Sequence, residues 1–176
     1  TINNNLSREY KKSFKITEPG MLHVQAVNEN YLPSKIITLP INILKKENGL
    51  VRKTYIGQWK NCSQIINGKP IEENIVYDFS LDPNMEDNFG HIFSGYIVIN
   101  VPGTYEFQTT SDDGSRLFIN ADLVVDNDGF HSRKSMAGLI KLKNKRHKII
   151  VEYFEGGAQE TLDVKWRGPG FEWREI

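Results

Sequence analysis

Residues 103–131 read GTYEFQTTSDDGSRLFINADLVVDNDGFH, and the fold is decided by how this stretch alternates. Tyr105, Phe107 and Thr109 alternate with Glu106, Gln108 and Thr110, the period of two that marks a strand with one face buried. Ser111, Asp112, Asp113 and Gly114 are turn formers that interrupt it. Arg116 to Ile119 starts a second strand, Asn120, Ala121 and Asp122 turn the chain, and Leu123 to Val125 form a third. A second polar cluster, Asp126, Asn127, Asp128 and Gly129, closes the unit. Two acidic, glycine-ended loops thus bracket a tight hairpin.

Working outward, residues 132–137 read as a polar connection and Leu139 to Leu142 as a strand. Beyond the turn at Lys143 to Arg146, His147, Ile149, Val151 and Tyr153 share one face against Lys148, Ile150, Glu152 and Phe154. Both faces are rather apolar, as expected of a central strand covered on both sides. Gly156 and Gly157 turn the chain, and Leu162, Val164 and Trp166 line a last strand that Gly168, Pro169 and Gly170 stop. Upstream, Phe89, His91 and Phe93 alternate, and Tyr96 to Val101 is nearly all apolar. Val51, Lys53 and Tyr55 lead into Gly57, Gln58 and Trp59, and residues 60–71 read as a loop. Helical periodicity is absent, and turns recur every eight to twelve residues or so, so the expected class is all-β, an antiparallel β-sandwich.

The first 44 residues carry three more strand patterns: Lys12 to Ile16; Leu22, Val24 and Ala26; and Ile37, Leu39, Ile41 and Ile43, with Pro40 restricted to an edge or a bulge. These would make a partial sandwich of the immunoglobulin or fibronectin-III kind, half a domain and too small to bury a core alone. Lys45 to Gly49 is a polar, glycine-ended boundary. The expected domains are therefore 1–44 and 45–176.

Of the 176 residues, 39% are hydrophobic and 25% charged, a globular composition, and 22 basic residues balance 22 acidic ones. That balance favours neither nucleic acid nor an anionic membrane as partner. Cys62 is the one cysteine, so these residues hold no internal disulfide. No apolar run is long enough to span a membrane. Thr1 stands without a preceding Met or leader, which suggests a piece excised from a longer chain.

Several spaced motifs, in order, carry a resemblance: Ser111-Asp112-Asp113-Gly114, Leu117-Phe118-Ile119, Val124-Val125-Asp126-Asn127-Asp128-Gly129 and His131. Trp59, Asp87-Asn88-Phe89-Gly90, Val151-Glu152-Tyr153-Phe154 and Gly168-Pro169-Gly170 agree with them. Together they resemble the domain named after protective antigen (the PA-fourteen domain), a β-sandwich found in glycosidases, adhesins and toxins, many of which bind carbohydrate. Asn120-Ala121-Asp122 replaces that family's usual Asp-Gly hairpin tip. Over the first 44 residues, Tyr10, Pro19-Gly20, His23 to Ala26 and Pro33 to Lys35 resemble the end of the accessory domain that follows chitobiase and hexosaminidase catalytic domains.

In the adhesin branch, the resemblance implies, the counterparts of Asp112 and Asp113 share a cis peptide and bind one calcium, which in turn holds sugar hydroxyls. Asp126, Asn127 and Asp128 are candidates for the further oxygens such an ion needs. The alternative is a plain turn in which the Asp112 and Asp113 side chains bond nearby backbone amides. Phe130 and His131 are the candidate sugar contacts, against a structural hydrogen-bonding role for His131. Trp59 and Trp166 fit the core better. The basic run Lys141, Lys143, Lys145, Arg146 and Lys148 reads as a solvated hairpin. Neither Ser111 with His131 nor Glu86 with Asp87 makes a persuasive catalytic constellation.

The expectation is a non-catalytic carbohydrate-binding module from a secreted, periplasmic or cell-surface glycoside hydrolase of the chitobiase or β-N-acetylhexosaminidase type. Its partners would be a glycan and the catalytic domain of the same chain, and its cofactor calcium. A structural module that packs on the catalytic domain and never touches sugar is the alternative.

Overall fold

The computed structural model describes residues 9–41, 48–82, 85–157 and 159–176. The chain divides into two compact units, Thr1–Lys45 and Lys46–Ile176. In the first, β1 (Gly20–Val24) pairs antiparallel with β2 (Ile37–Ile41), Leu22 opposite Leu39. Pro40 sits in this ribbon opposite Met21, where every strand is an edge and its missing N–H is tolerated. The strand expected over Lys12 to Ile16 does not form, since among the described residues no neighbour takes up its backbone groups. Ile43, at the end of the third expected strand, lies outside the described residues. No described side chain of this unit is buried.

The second unit is an antiparallel sandwich. Its strands are β3 (Leu50–Ile56), β4 (Glu72–Val76), β5 (Phe89–Ile99), β6 (Gly103–Asp112), β7 (Ser115–Ile119), β8 (Asp122–Asn127), β9 (Lys134–Leu142), β10 (Lys145–Glu155), β11 (Thr161–Gly168) and β12 (Phe171–Glu175). One sheet has the order β4-β3-β5-β10-β7-β8 and the other β12-β11-β6-β9. Their inner faces interdigitate: Phe93, Ile97 and Ile99 of β5, Ile149, Val151 and Tyr153 of β10 and Leu117 and Ile119 of β7 meet Tyr105 and Phe107 of β6 and Leu162 and Val164 of β11. Burial of these alternating side chains is the main force closing the sandwich.

β10 is central, paired with β5 on one side and β7 on the other, and both its faces read as apolar because one meets the opposite sheet and the other is partly covered. Its second face is covered at one end by a 3-10 helix, Cys62–Asn67, inside the stretch expected to be a plain loop. Cys62 and Ile65 there pack on Tyr55 and Phe154, with Trp59 and Ile92 beside them. The polar connection expected at residues 132–137 is overtaken by β9, which starts at Lys134 and pairs with β6 from Ser111 to Gly103. Its outward side chains, Ser135, Ala137, Leu139 and Lys141, are exposed and mix polar with apolar, which masked the strand.

His91 is fully buried between the rings of Phe89 and Phe93, with Nδ1 3.2 Å from Thr54 Oγ1 and Nε2 without a partner. Burial, aided by the Arg52 charge, pushes its pKa down to about 4. Among the described residues no helix is long and apolar enough to cross a membrane.

Candidate metal and glycan site

At one end of the sandwich β6 runs out at Asp112 and β10 at Glu155, each the last residue of its strand in a different sheet. The peptide joining Asp112 to Asp113 is cis, and both side chains line one cleft. That cleft has a volume of about 470 Å³ and is lined by Asp112, Asp113, Phe130, His131, Ser132, Gly157 and Gln159. Oxygens of Asp112, Asp113 and Glu155 lie within 4.8 Å of one another. Among the described residues no other three His, Cys, Asp or Glu side chains converge in this way.

The carboxylates are held from behind. Asp113 accepts hydrogen bonds from the amides of His131 (3.1 Å, Oδ1) and Gly156 (3.0 Å, Oδ2), and Asp112 Oδ2 from that of Arg133 (3.0 Å). Tyr153 donates its phenol to the Asp112 carbonyl at 2.6 Å and reaches Glu155 Oε2 at 3.3 Å. Gly157 N–H donates to Glu155 Oε1. Glu155 is 2% exposed. Burial first, then the negative charges of Asp113 and Asp112, push its carboxyl up to about 6, against the opposing hydrogen bonds. A group so placed gains from a cation that compensates its charge. Three carboxylates are hard oxygen donors, suited to a hard divalent ion and short of the six to eight oxygens calcium takes. The chemistry of the donor set therefore fits such an ion with coordination positions to spare.

Beneath the aspartate pair lies a buried hydroxyl cluster. Ser111 and Ser115 are 2.7 Å apart, Ser115 reaches Thr109 at 2.9 Å, and Asn127 Nδ2 donates to Ser111 (2.9 Å) and to the Lys134 carbonyl (3.0 Å). Ser111 is thus bonded within this cluster and makes no catalytic pair with His131.

Phe130 stands at the cleft mouth, 60% exposed, its ring edge-on to Phe154 at 5.4 Å. Gly156 runs directly beneath it, where a Cβ would collide with the Phe130 ring and lie 3.3 Å from Asp113 Oδ2. The Gly156-Gly157 pair is therefore more than a turn: it lets an aromatic ring lie beside the carboxylates.

The other residues proposed from sequence are placed differently. His131 lines the cleft, but its ring nitrogens face backbone carbonyls, Nε2 on Asn127 (2.9 Å) and Nδ1 on Ser132 (3.0 Å). Asp126 is exposed and takes the Asp128 amide at 3.3 Å. Asn127 is buried in the hydroxyl cluster. Asp128 accepts from the amides of Cys62 (2.8 Å) and Gly129 (2.9 Å) and lies 3.9 Å from Arg116. The carboxylates of Asp126 and Asp128 are not among those that converge with Asp112 and Asp113, and Asn127, bonded through its Nδ2, keeps a buried Oδ1 without a hydrogen-bond partner. The third carboxylate near Asp112 and Asp113 is Glu155, which the sequence reading does not single out. Its one signal in the sequence was a carboxylate just before Gly156-Gly157. The basic run around Lys143 is exposed, with no ion pair among the described residues, and Arg146 lies over Tyr96 at 4.0 Å.

The profile of the PA14 domain matches residues 46–175, nearly the whole sandwich. This chain belongs to the PA14 domain family. The PA14 fold is also shared with solved structures at low identity. One is an anti-sigma factor domain-containing protein (TM-score 0.62, 20% identity, 73% of this chain and 46% of that one). Another is the PA14 sugar-binding domain from an RTX adhesin (0.61, 18%, 73% and 94%). A third is the Epithelial Adhesin 9 A domain from Candida glabrata in complex with Galβ1-4GlcNAc (0.57, 14%, 72% and 84%). The chain thus spans less than half of the first and most of the other two. No curated protein matches it by sequence.

Proposed function

We propose that the PA14 unit is a non-catalytic carbohydrate-binding module in which calcium, held by Asp112, Asp113 and Glu155, offers its remaining positions to sugar hydroxyls. Phe130 would stack on the apolar face of the same sugar. The observation that carries this is the convergence of three carboxylates, two of which line an open cleft beside an exposed aromatic ring. The sugar-binding function in the adhesin relative's name adds support. The chain's own residues set the rest: the amides of His131, Arg133 and Gly156 orient the carboxylates, and Tyr153 keeps Glu155 and the Asp112 carbonyl in place.

The likeness of Tyr10, Pro19-Gly20 and His23 to Ala26 to a chitobiase accessory domain supports a parent glycoside hydrolase of the hexosaminidase type, working outside the cytoplasm. There the module would hold the enzyme on its polymer and raise local substrate concentration. A purely structural PA14 module is the second reading, favoured by the fact that both aspartates already accept backbone amides, as in an ordinary turn.

The test is a calorimetric melt with millimolar calcium and with chelator, joined to a glycan array. An ion bound only by the folded state at a hundredfold over Kd should add about 2.7 kcal/mol, a rise of roughly 8 °C for a domain of this size. Superimposable melts and an array blank in calcium would leave the structural reading in front.

A further inference from the structure

We propose that Asp128 is a positioning residue for the Asp112–Asp113 cleft, acting through the amides of its own loop and not as a ligand. The inference rests on the metal-assisted reading above and assigns Asp128 a role of a different kind.

Asp128 sits where three elements meet. Its Oδ1 accepts the amide of Cys62, at the start of the 3-10 helix, at 2.8 Å, and that of Gly129 at 2.9 Å. Its Oδ2 is 3.9 Å from Arg116 Nε of β7, and Arg116 is hydrogen-bonded to Glu152 of β10 at 2.9 and 2.5 Å. Those contacts fix the start of the loop. Its far side returns two amides to the aspartates, His131 to Asp113 at 3.1 Å and Arg133 to Asp112 at 3.0 Å. Between the ends the His131 ring spans from the Asn127 carbonyl to the Ser132 carbonyl.

Amide donors on a carboxylate favour its charged form and determine which of its lone pairs remain for a cation. The loop is thus the outer layer of the ion site, and Asp128 is its anchor. Gly114 keeps the space for it: a Cβ there would fall 2.9 Å from Gly129 N and 3.0 Å from Asp128 Oδ1, and would strike the Phe154 ring. The Asp-Asp-Gly motif therefore ends in glycine because the anchored loop passes against it.

A positioning role and a ligand role respond differently to a neutral isostere. Asp128→Asn keeps the oxygen that both amides need and loses only the charge, so calcium affinity should stay within about threefold of wild type. Asp128→Ala leaves both amides without their acceptor and should weaken calcium about tenfold, as removal of an outer-layer partner commonly does. Asp128→Ser, with one short acceptor, should fall between them and serves if the alanine variant melts too low to titrate.

The experiment is calcium titration calorimetry of the full chain and these variants, with amide hydrogen exchange of residues 129–133 in chelator. The expected result is unchanged exchange in Asp128→Asn and faster exchange at His131 and Arg133 in Asp128→Ala. Equal damage to affinity from Asn and Ala would make Asp128 a ligand and overturn the proposal. So would wild-type affinity and exchange in the alanine variant. A wild type that takes no calcium would sink the metal reading by itself, while the exchange results would still decide whether Asp128 holds the loop on the aspartates.

Discussion

The two acidic loops of this sandwich are close in composition and opposite in use. Ser111-Asp112-Asp113-Gly114 turns its carboxylates toward a cleft, with the buried Glu155 close to them. In Asp126-Asn127-Asp128-Gly129 only the middle two side chains turn inward, Asn127 onto the hydroxyl of Ser111 and Asp128 onto the amides of Cys62 and Gly129 and the guanidinium of Arg116, while Asp126 is exposed. An acidic loop is a candidate ion site only where its oxygens are left over after the backbone is satisfied. The first loop brings its two carboxylates together with Glu155, whereas the second ties Asp128 to Cys62 and Arg116 and leaves Asp126 in solvent.

The hardest test of that contrast is Asp113→Asn. It removes a charge from the converging set and should abolish most of the calcium-dependent gain of about 2.7 kcal/mol. Asp112→Asn should do the same, read by melting with calcium against chelator. An unchanged calcium response in both would mean that the first loop is not the ion site.

Glu155→Gln sharpens the contrast through its sign. The folded-state pKa of Glu155 is raised from an ordinary 4.5 to about 6, so the folded chain holds this proton more tightly than the unfolded one. Without an ion its contribution is therefore full below pH 4.5 and is lost as pH rises through 6, a swing of about 2 kcal/mol. At pH 7 in chelator, Glu155→Gln should melt above the wild type, and its calcium response should shrink. A variant less stable than wild type in chelator would contradict the assignment of Glu155 as an uncompensated buried carboxyl.

Smaller effects follow. Phe130→Ala should leave the calcium titration intact and weaken glycan binding by about 1 kcal/mol, the scale of an aromatic stacking contact; the check is glycan titration at saturating calcium. Asp126→Asn, on an exposed side chain, should change neither melting nor calcium affinity beyond about 0.5 kcal/mol. A large effect there would return the second loop to the ion site.

The strands were legible because alternation is imposed by having one face in the core: Tyr105, Phe107 and Thr109 point inward as their spacing requires. The start of β9 was not, since Ser135 and Ala137 face solvent and carry no strand-like pattern. That Asp112, Asp113, Phe130 and His131 line one cleft was legible because two sit side by side and the others adjoin the second acidic motif. Glu155 was hidden at the end of an apolar strand on the other sheet, and only the closing of the sandwich brings it near. The roles of Asp126 and Asp128 could not be read from spacing, because a sequence does not show which oxygens the backbone will claim. Arg116, inside the hairpin, was the one hint that a carboxylate nearby would be neutralised.

The single thiol has a use of its own. Cys62 is 1% exposed, and burial together with the neighbouring Asp128 charge pushes its pKa far above the ordinary range, so the nucleophilic thiolate is suppressed in the folded state. Alkylating reagents and oxidants can then reach it only when the 3-10 helix lifts from β10. The rate of thiol labelling thus becomes a clock for that opening, built into the chain without any added probe, and because the Cys62 amide rests on Asp128 it times the release of the loop that frames the cleft.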